Sequence, residues 1–310
     1  MNNHEATYSD IIDPELYNRI ITDEHLYIAD SDRLIQQLIE DEITAMGSAE
    51  VVEVGCGPAR IIAQVATIPH IHLTGVDHDQ KFIAYAKKVI DNTRVRLVCM
   101  EFADYRHGKP VDVFFSQGTH HHIPKGSATT AYLQNIYKQL TPGGAYIISD
   151  EFLPDYEDEH DRHVAAVIWY SHIIANGKRR GFNDLAREEV KTLLDDLNEG
   201  GTGEGGKSPE QIELLLARVE GINDAAMTGN LPTARQLAED LLTALRSSQS
   251  AVRQGDPTMD LSRGDYKVSR AVFRSEVEPI GFIVENAQSV GPVEQVGGMV
   301  VYKLRKPALR

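Results

Sequence analysis

Between residues 50 and 152 short apolar runs alternate with amphipathic stretches. VVEVG, starting at Val51, is a β-branched run closed by glycine, and PARIIAQVATI after it has helical period. HLTGVD predicts a second strand and DQKFIAYAKKVIDN a second helix. RVRLVCME and VDVFFSQG predict the third and fourth strands, TTAYLQNIYKQL a helix, TPGG a turn and AYIISDEF a fifth strand. Strands that alternate with single helices imply βαβ units, a parallel sheet and right-handed crossovers.

The flanks read differently. Residues 10–46 are helical in period, with Leu34, Ile35, Leu38, Ile39 and Ile43 on one face and Asp30 or Ser31 as the expected cap of the second helix. Tyr8, Tyr17 and Tyr27 punctuate this segment, for core packing or as a flap over a nearby site. From 153 to 265 the strand signal stops and four helical stretches follow, HVAAVIWYSHIIANG, REEVKTLLDDLNEG, PEQIELLLARVEGINDAAMTG and ARQLAEDLLTALRSSQSAV. Gly and Ser gather at 198–208, a loop, and Ser208-Pro209-Glu210-Gln211 reads as a capped helix start. FRSEVEPIGFIVENAQSV then predicts a short helix, a stop at Gly281 and a strand, and VGGMVVYKLRK a final strand. The expected organisation is an N-terminal helical flap over 1–47, an α/β core over 48–152 plus 266–310, and a helical lid or insertion over 153–265.

Composition narrows the function classes. The chain has 310 residues, 42% of them hydrophobic and 25% charged, an ordinary globular balance. With 31 Lys+Arg against 46 Asp+Glu, a formal net charge of −15, it repels phosphate backbones, so no nucleic-acid partner is expected. No run reaches the roughly 18 apolar residues of a membrane span, so no membrane partner is expected. The N-terminal residues lack a basic region followed by an apolar one, which points to a cytoplasmic protein. Cys56 and Cys99 cannot build a disulfide scaffold or a thiolate zinc site, and their apolar settings predict small buried hydrophobes.

Chemistry concentrates at the predicted carboxyl ends of the strands. Gly55 and Gly57 follow the first strand and precede a helix, where a tight turn lets backbone approach a ligand without Cβ clashes. Asp77 ends the second strand, 20 residues after Gly57, where a carboxylate accepts bonds from both ribose hydroxyls of a nucleoside. Glu101 ends the third strand, within reach of an adenine amino group.

Taken together, VVEVGCGPAR, LTGVDHD, CMEFAD, VDVFFSQGTHHH and LTPGGAYIISDEF, in this order and spacing, resemble the class I S-adenosylmethionine-dependent methyltransferases. The resemblance covers about residues 48–152 and 266–306. It implies a Rossmann-like seven-stranded sheet, six strands parallel and the last antiparallel, and S-adenosylmethionine as cofactor. By the same resemblance Gly55–Gly57 lies under the methionine part of the cofactor and Glu53 helps hold its amino group. Asp77 takes the ribose and His78 packs on adenine, while Glu101 and the backbone of Phe102 read the adenine edge. Ser116 and Gln117 lie near the methionine end. The third glycine found in many members is replaced around Pro58-Ala59-Arg60.

Other features of the sequence also bear on chemistry. GTGEGGKS, residues 201–208, fits the letters of a phosphate-binding loop but follows an amphipathic helical stretch instead of a buried strand, so it reads as an interhelical loop. His120, His121 and His122 follow the fourth strand, and His160 and His163 sit in EDEHDRH. A metal is one use for them; a single general base, His120 or His121, is the favoured one, and no metal is expected. Asp150 and Glu151, at the fifth strand's end, are placed to bind a cation or take a proton. Trp169, Tyr170 and His172 follow on a helix expected to face the pocket. The expected activity is methyl transfer to an O, N or C atom of an enclosed small-molecule acceptor, with the insertion also available as a homodimer contact. Aminocarboxypropyl transfer from the same cofactor, or a catalytically inactive regulatory protein that binds it, are the alternatives.

Overall fold

The computed structural model describes residues 9, 12–44, 46–91, 93–197, 209–249, 266–292 and 294–308. Its centre is a seven-stranded sheet: β1 (Ala49–Val54), β2 (Ile71–Asp77), β3 (Val95–Cys99), β4 (Val111–Gln117), β5 (Leu140–Phe152), β6 (Ile283–Gly291) and β7 (Gly298–Arg305). The order is β3-β2-β1-β4-β5-β7-β6. β1 to β5 pair in parallel, and β7 runs antiparallel to both β5 and β6. The chain reverses its direction of travel across the sheet between β1 and β4, and in open α/β sheets ligands bind in the crevice outside such a switch point.

Alternate strand residues face opposite sides. Val51, Val113, Phe115 and Ile147 pack with Ile35 and Ile39 of α2 (Ile28–Ile43), Ile62 of α3 (Arg60–Val65) and Ile83 of α4 (Gln80–Val89). Val52, Val54, Phe114, Tyr146 and Ile148 pack with Leu133 and Ile136 of α5 (Ser127–Gln139) and with Phe273 and Val277 of α10 (Arg270–Val277). Burial on both faces is why the strands read as apolar runs without alternation. β5 starts earlier than its sequence predicts. Thr141–Gly144, read as a turn, lies inside it as an irregularity opposite Val111–Val113, and Gly143 supplies a positive φ of 82°.

A separate apolar cluster joins α6 (Glu159–Arg179), α7 (Asn183–Leu197), α8 (Pro209–Met227) and α9 (Leu231–Gln249). α6 is its axis, with Val164 through Ile168, Trp169, Ile173 and Ile174 all buried. A helix apolar all round is a buried one. Ile12 and Ile20 join the same cluster, so the N-terminal segment packs on these helices as well as on the sheet. That segment contains α1 (Pro14–Arg19) and a π turn over Ile20–Glu24.

Two further expectations do not hold. α2 starts at Ile28, three residues before Ser31, so Asp30 and Ser31 lie within its first turns and neither caps it. The polar pair Ser31-Asp32 looks like a helix start in sequence but is buried in the helix face turned to the sheet. Cys56 is buried as expected, but Cys99 is exposed, because β3 is the sheet's edge strand. Ser208 and the 201–208 segment lie outside the described residues. Among those described, no helix is long and apolar enough to cross a membrane.

Candidate active site

The glycine turn after β1 has left-handed backbone at Gly55 (φ 68°), Gly57 (φ 48°) and Ala59 (φ 60°). Ala59, within the Pro58-Ala59-Arg60 stretch where the resemblance implies a third glycine, takes the same conformation and is fully buried. A Cβ on Gly55 would stand 2.4 Å from Thr119 Oγ1, whereas one on Gly57 would meet nothing within 4 Å. The turn is thus packed on the β4 side and open at Gly57. Gly55→Ala is expected to lower unfolding free energy by roughly 2–4 kcal/mol, from the left-handed strain plus the clash, and Gly57→Ala by only about 1–2 kcal/mol. Denaturant melts of the two variants would rank them; equal losses would contradict the packed-and-open reading.

Asp77 closes the turn from β2. Its Oδ2 accepts from the Gly57 amide at 2.8 Å and its Oδ1 from the Asp79 amide at 2.8 Å. Burial, outweighing these two amides, raises its carboxyl above the usual range. His78 is half-exposed beside it, Nδ1 3.7 Å from Asp77 Oδ1. Glu101 is exposed at the end of β3. The Phe102 ring is turned into the core against Tyr105, Phe114 and Tyr132, and its carbonyl accepts from Asn135 Nδ2 at 2.6 Å.

Glu53 is buried in β1, and its Oε2 has no hydrogen-bond partner. Burial pushes its carboxyl well above the usual range, with Arg60 opposing and Asp32 and Asp77 adding to the effect. Arg60, at the start of α3, forks onto both oxygens of Asp32, the Nη2–Oδ1 arm at 2.9 Å, and also donates to Gln117 Oε1. Gln117 Nε2 donates to Ser31 Oγ at 2.8 Å and Asp32 Oδ1 at 2.9 Å. Gln64 Nε2 donates to Asp32 at 3.0 Å. One polar network therefore joins the glycine turn, the end of β4 and α2. Ser116, the neighbour of Gln117, faces the other side, where its hydroxyl shares a 2.8 Å bond with the Tyr146 hydroxyl in the core.

The histidines after β4 are fixed by carboxylates. The His120 amide donates to Asp150 Oδ2 at 2.8 Å, and its Nε2 lies 2.9 Å from Glu276 Oε2 of α10. Its ring meets Phe273 edge-on at 5.1 Å, and burial lowers its pKa. His121 Nδ1 bonds Asp150 Oδ1, which also accepts from the Glu151 amide at 2.7 Å. Although burial raises the Asp150 carboxyl, the two histidines and this amide bring it down to about 2. Asp150 thus orients His121. A folded-state pKa below the unfolded one gives stability that is present above the ordinary Asp value of about 3.9 and is lost as pH falls through about 2. Asp150→Asn is expected to remove roughly 2–3 kcal/mol of acid-sensitive stability. Urea melts between about pH 5 and 2 should then show a flatter acid limb than the wild type.

Glu151 is 7% exposed and fully engaged: Lys267 Nζ lies 2.9 Å from Oε2, Trp169 Nε1 donates to Oε2 at 3.3 Å, and His25 Nε2 lies 3.1 Å from Oε1. Burial opposes its ionisation, but Lys267 and His25 hold the carboxyl well below the usual range. Lys267, 2% exposed, also donates to the Tyr170 hydroxyl at 2.7 Å. Tyr27 bonds His172 Nε2 at 2.6 Å, while His172 Nδ1 meets Asn223 Oδ1 at 2.9 Å. The N-terminal segment thus roofs the strand ends: Ser9 bonds Asp79, Tyr17 packs 5.3 Å from the Phe82 ring, and His25 bonds Glu151. Burial lifts the Tyr17 hydroxyl to about 12, with Arg60 pulling it down and Asp77 and Glu151 pushing it up.

Sequence reasoning placed the glycine turn, Asp77 and the β4 and β5 ends together. It missed Ser31, Asp32, Arg60, His25 and Lys267. Arg60 stood in the quoted motif; Lys267 carries no local pattern. The two histidine groups do not meet. His160 lies on Glu239 of α9 at 3.0 Å and His163 sits 3.4 Å from Glu159. Among the described residues no three His, Cys, Asp or Glu side chains gather as a metal site.

Residues 51–144 match the family described as a methyltransferase domain. A malonyl-[acyl-carrier protein] O-methyltransferase from Priestia megaterium is 25% identical over 151 residues, covering 48% of this chain and 48% of its own. The chain spans about half the length of that curated relative. An S-adenosylmethionine-dependent methyltransferase structure from Clostridium acetobutylicum superposes with a TM-score of 0.52 at 10% identity, over 95% of this chain and 97% of the other. The 1,6-didemethyltoxoflavin-N1-methyltransferase of Burkholderia thailandensis gives 0.49 at 14% identity, over 96% and 86%. Residues 51–144, from β1 into the start of β5, thus match a methyltransferase domain, and the strand order around them gives the chain the fold of the superposed S-adenosylmethionine-dependent methyltransferase.

Proposed function

We propose that the chain transfers the methyl group of S-adenosylmethionine to an O, N or C atom of a small-molecule acceptor. The acceptor would lie in a chamber between the strand ends, the N-terminal flap (1–47) and the helical lid (153–265). One observation carries the cofactor half: Glu53 Oε2, buried and unpartnered beside the glycine turn. A buried acceptor without a donor is costly unless a ligand supplies one, and the cofactor's amino group is such a donor.

The other residues fit the same cofactor. Open space at Gly57 admits it close to the backbone, and Asp77 exchanges its Gly57 bond for the ribose hydroxyls. Arg60, oriented by Gln117 and Asp32, supplies positive charge toward the carboxylate. His78, Glu101 and the Phe102 backbone form the adenine rim, while Ser116 supports from beneath through Tyr146. When bound, the cofactor supplies a sulfonium-activated methyl group. The protein's tasks are to align the acceptor, exclude water and remove a proton where the acceptor carries one. The enclosure supports a compact acceptor: Trp169, His25 and Lys267 all close on Glu151 at the acceptor end of β5.

Calorimetry with S-adenosylmethionine tests this. Asp77→Ala is expected to weaken binding by tens-fold, the equivalent of about 1.5–3 kcal/mol for charge-assisted bonds. Because burial holds Glu53 protonated to unusually high pH, binding an ammonium group there should release a proton, and wild-type affinity should rise with pH. Glu53→Gln should abolish that pH dependence. Unchanged affinity in Asp77→Ala would sink the assignment. Mass analysis of the cofactor product separates methyl transfer, which leaves S-adenosylhomocysteine, from aminocarboxypropyl transfer, which leaves methylthioadenosine.

A further inference from the structure

We infer that His25, carried by the N-terminal segment, is the base that takes the acceptor's proton, with Glu151 as the carboxylate that orients it. The inference rests on the methyl-transfer reading above. The His25 side chain is 5% exposed, its Nε2 lies 3.1 Å from Glu151 Oε1, and its Nδ1 is buried with no partner. Lys267 at 2.9 Å and the Trp169 indole at 3.3 Å occupy the other carboxylate oxygen. An ionised carboxylate can only accept, so it places the His25 proton on Nε2 and leaves the lone pair on Nδ1. A carboxylate-held imidazole with its second nitrogen unpartnered is the arrangement of an oriented general base.

The other histidines of the site are committed elsewhere. His172 uses both nitrogens, on Tyr27 and Asn223. His120 also has a partnerless Nδ1, but its ring sits against Phe273 in the core and its Nε2 is held by Glu276. His121 is turned onto Asp150 through Nδ1 and packs 4.1 Å from the His122 ring. Among the described residues Glu151 of β5 is the titratable group bonded to His25; Lys267, ahead of α10, and His121, after β4, act on the same carboxylate, and Tyr17 of the N-terminal segment feels its charge.

In the step, the acceptor's lone pair forms the bond to the methyl carbon and the C–S bond breaks with its electron pair left on sulfur. The acceptor's proton passes to His25 Nδ1, giving an imidazolium that keeps its Nε2–H on Glu151 and later releases the proton to solvent.

The test uses the full chain saturated with S-adenosylhomocysteine. In ¹⁵N–¹H imidazole spectra at pH 8, the resonance that disappears in His25→Gln should belong to a neutral ring protonated on Nε2. A neutral ring protonated on Nδ1, or a doubly protonated ring, would overturn the inference. In turnover, phenol and 4-nitrophenol are the probes, since the second is largely ionised at pH 8. His25→Gln should lower kcat/KM for phenol by about 10²–10⁴-fold and for 4-nitrophenol by less than about tenfold, with S-adenosylmethionine affinity unchanged. Equal losses on both phenols would overturn the inference, as would a loss confined to phenol in His121→Gln but absent in His25→Gln. Failure of the wild type to bind S-adenosylmethionine would instead remove the methyl-transfer reading itself.

Discussion

Lys267→Met is expected to destabilise the protein by about 3–5 kcal/mol at pH 7, because it strips a buried carboxylate of its cation. Lys267 is 2% exposed and Glu151 7%, with 2.9 Å between them. Methionine fills much of the space over the Tyr170 ring, where Lys267 Nζ lies 4.6 Å from the centroid, so the loss reports charge more than volume. The pH dependence separates this from a packing defect. In the wild type, burial would raise the Glu151 carboxyl, but Lys267 and His25 depress it well below the usual range. Its stabilisation is therefore present above the ordinary Glu value of about 4.3 and is lost only as pH falls below that. In the variant burial dominates, so Glu151 takes up a proton at higher pH and the deficit relative to wild type shrinks on acidification. Urea melts at pH 7 and pH 4.5 should show the difference narrowing, and Lys267→Met/Glu151→Gln should recover a large part of it. A deficit that does not change with pH would mean the pair contributes by packing alone.

How much of this was legible depends on the range of the interactions involved. The sheet was readable because buried parallel strands leave continuous apolar runs and each is followed by a helix of fixed period. The glycine turn was readable because only residues that tolerate positive φ serve there, and Gly55, Gly57 and Asp77 lie within one βαβ unit. Partnerships across the chain left no such trace. Ser31 and Asp32 resemble a helix cap locally, and only the packing of α2 on β4 and β5 turns them toward Gln117 and Arg60. His25 and Lys267 lie 126 residues before and 116 after Glu151, respectively, with no spacing rule to connect them. His120 and His121 follow β4, but which nitrogen each leaves available is decided by carboxylates elsewhere, Glu276 and Asp150.

The network around Arg60 yields the second large effect, and it reads stability and cofactor affinity at once. Arg60→Met is expected to cost about 3 kcal/mol of stability, the lower end for a broken buried pair, because Gln64 and Gln117 still donate to Asp32 at 3.0 and 2.9 Å. It should also weaken S-adenosylmethionine binding by roughly 10–150-fold, through loss of a charge-assisted bond worth about 1.5–3 kcal/mol and of the anchor that orients Gln117. Arg60→Lys should restore little of either, since one ammonium cannot fork onto both Asp32 oxygens while reaching Gln117. Asp32 makes the two losses separable. Asp32→Asn leaves Arg60 its charge but removes its partner, so it should reduce stability while changing affinity less than Arg60→Met does. In a double-mutant cycle, Arg60→Met/Asp32→Asn should be more stable than the sum of the single losses predicts, by about 1–3 kcal/mol of coupling, because no buried charge is left alone. Affinity should show no such recovery, since neutralising Asp32 puts no cation back beside the glycine turn. A variant pair that recovers binding together with stability would assign Arg60 to the fold alone and leave the cofactor's carboxylate to another group.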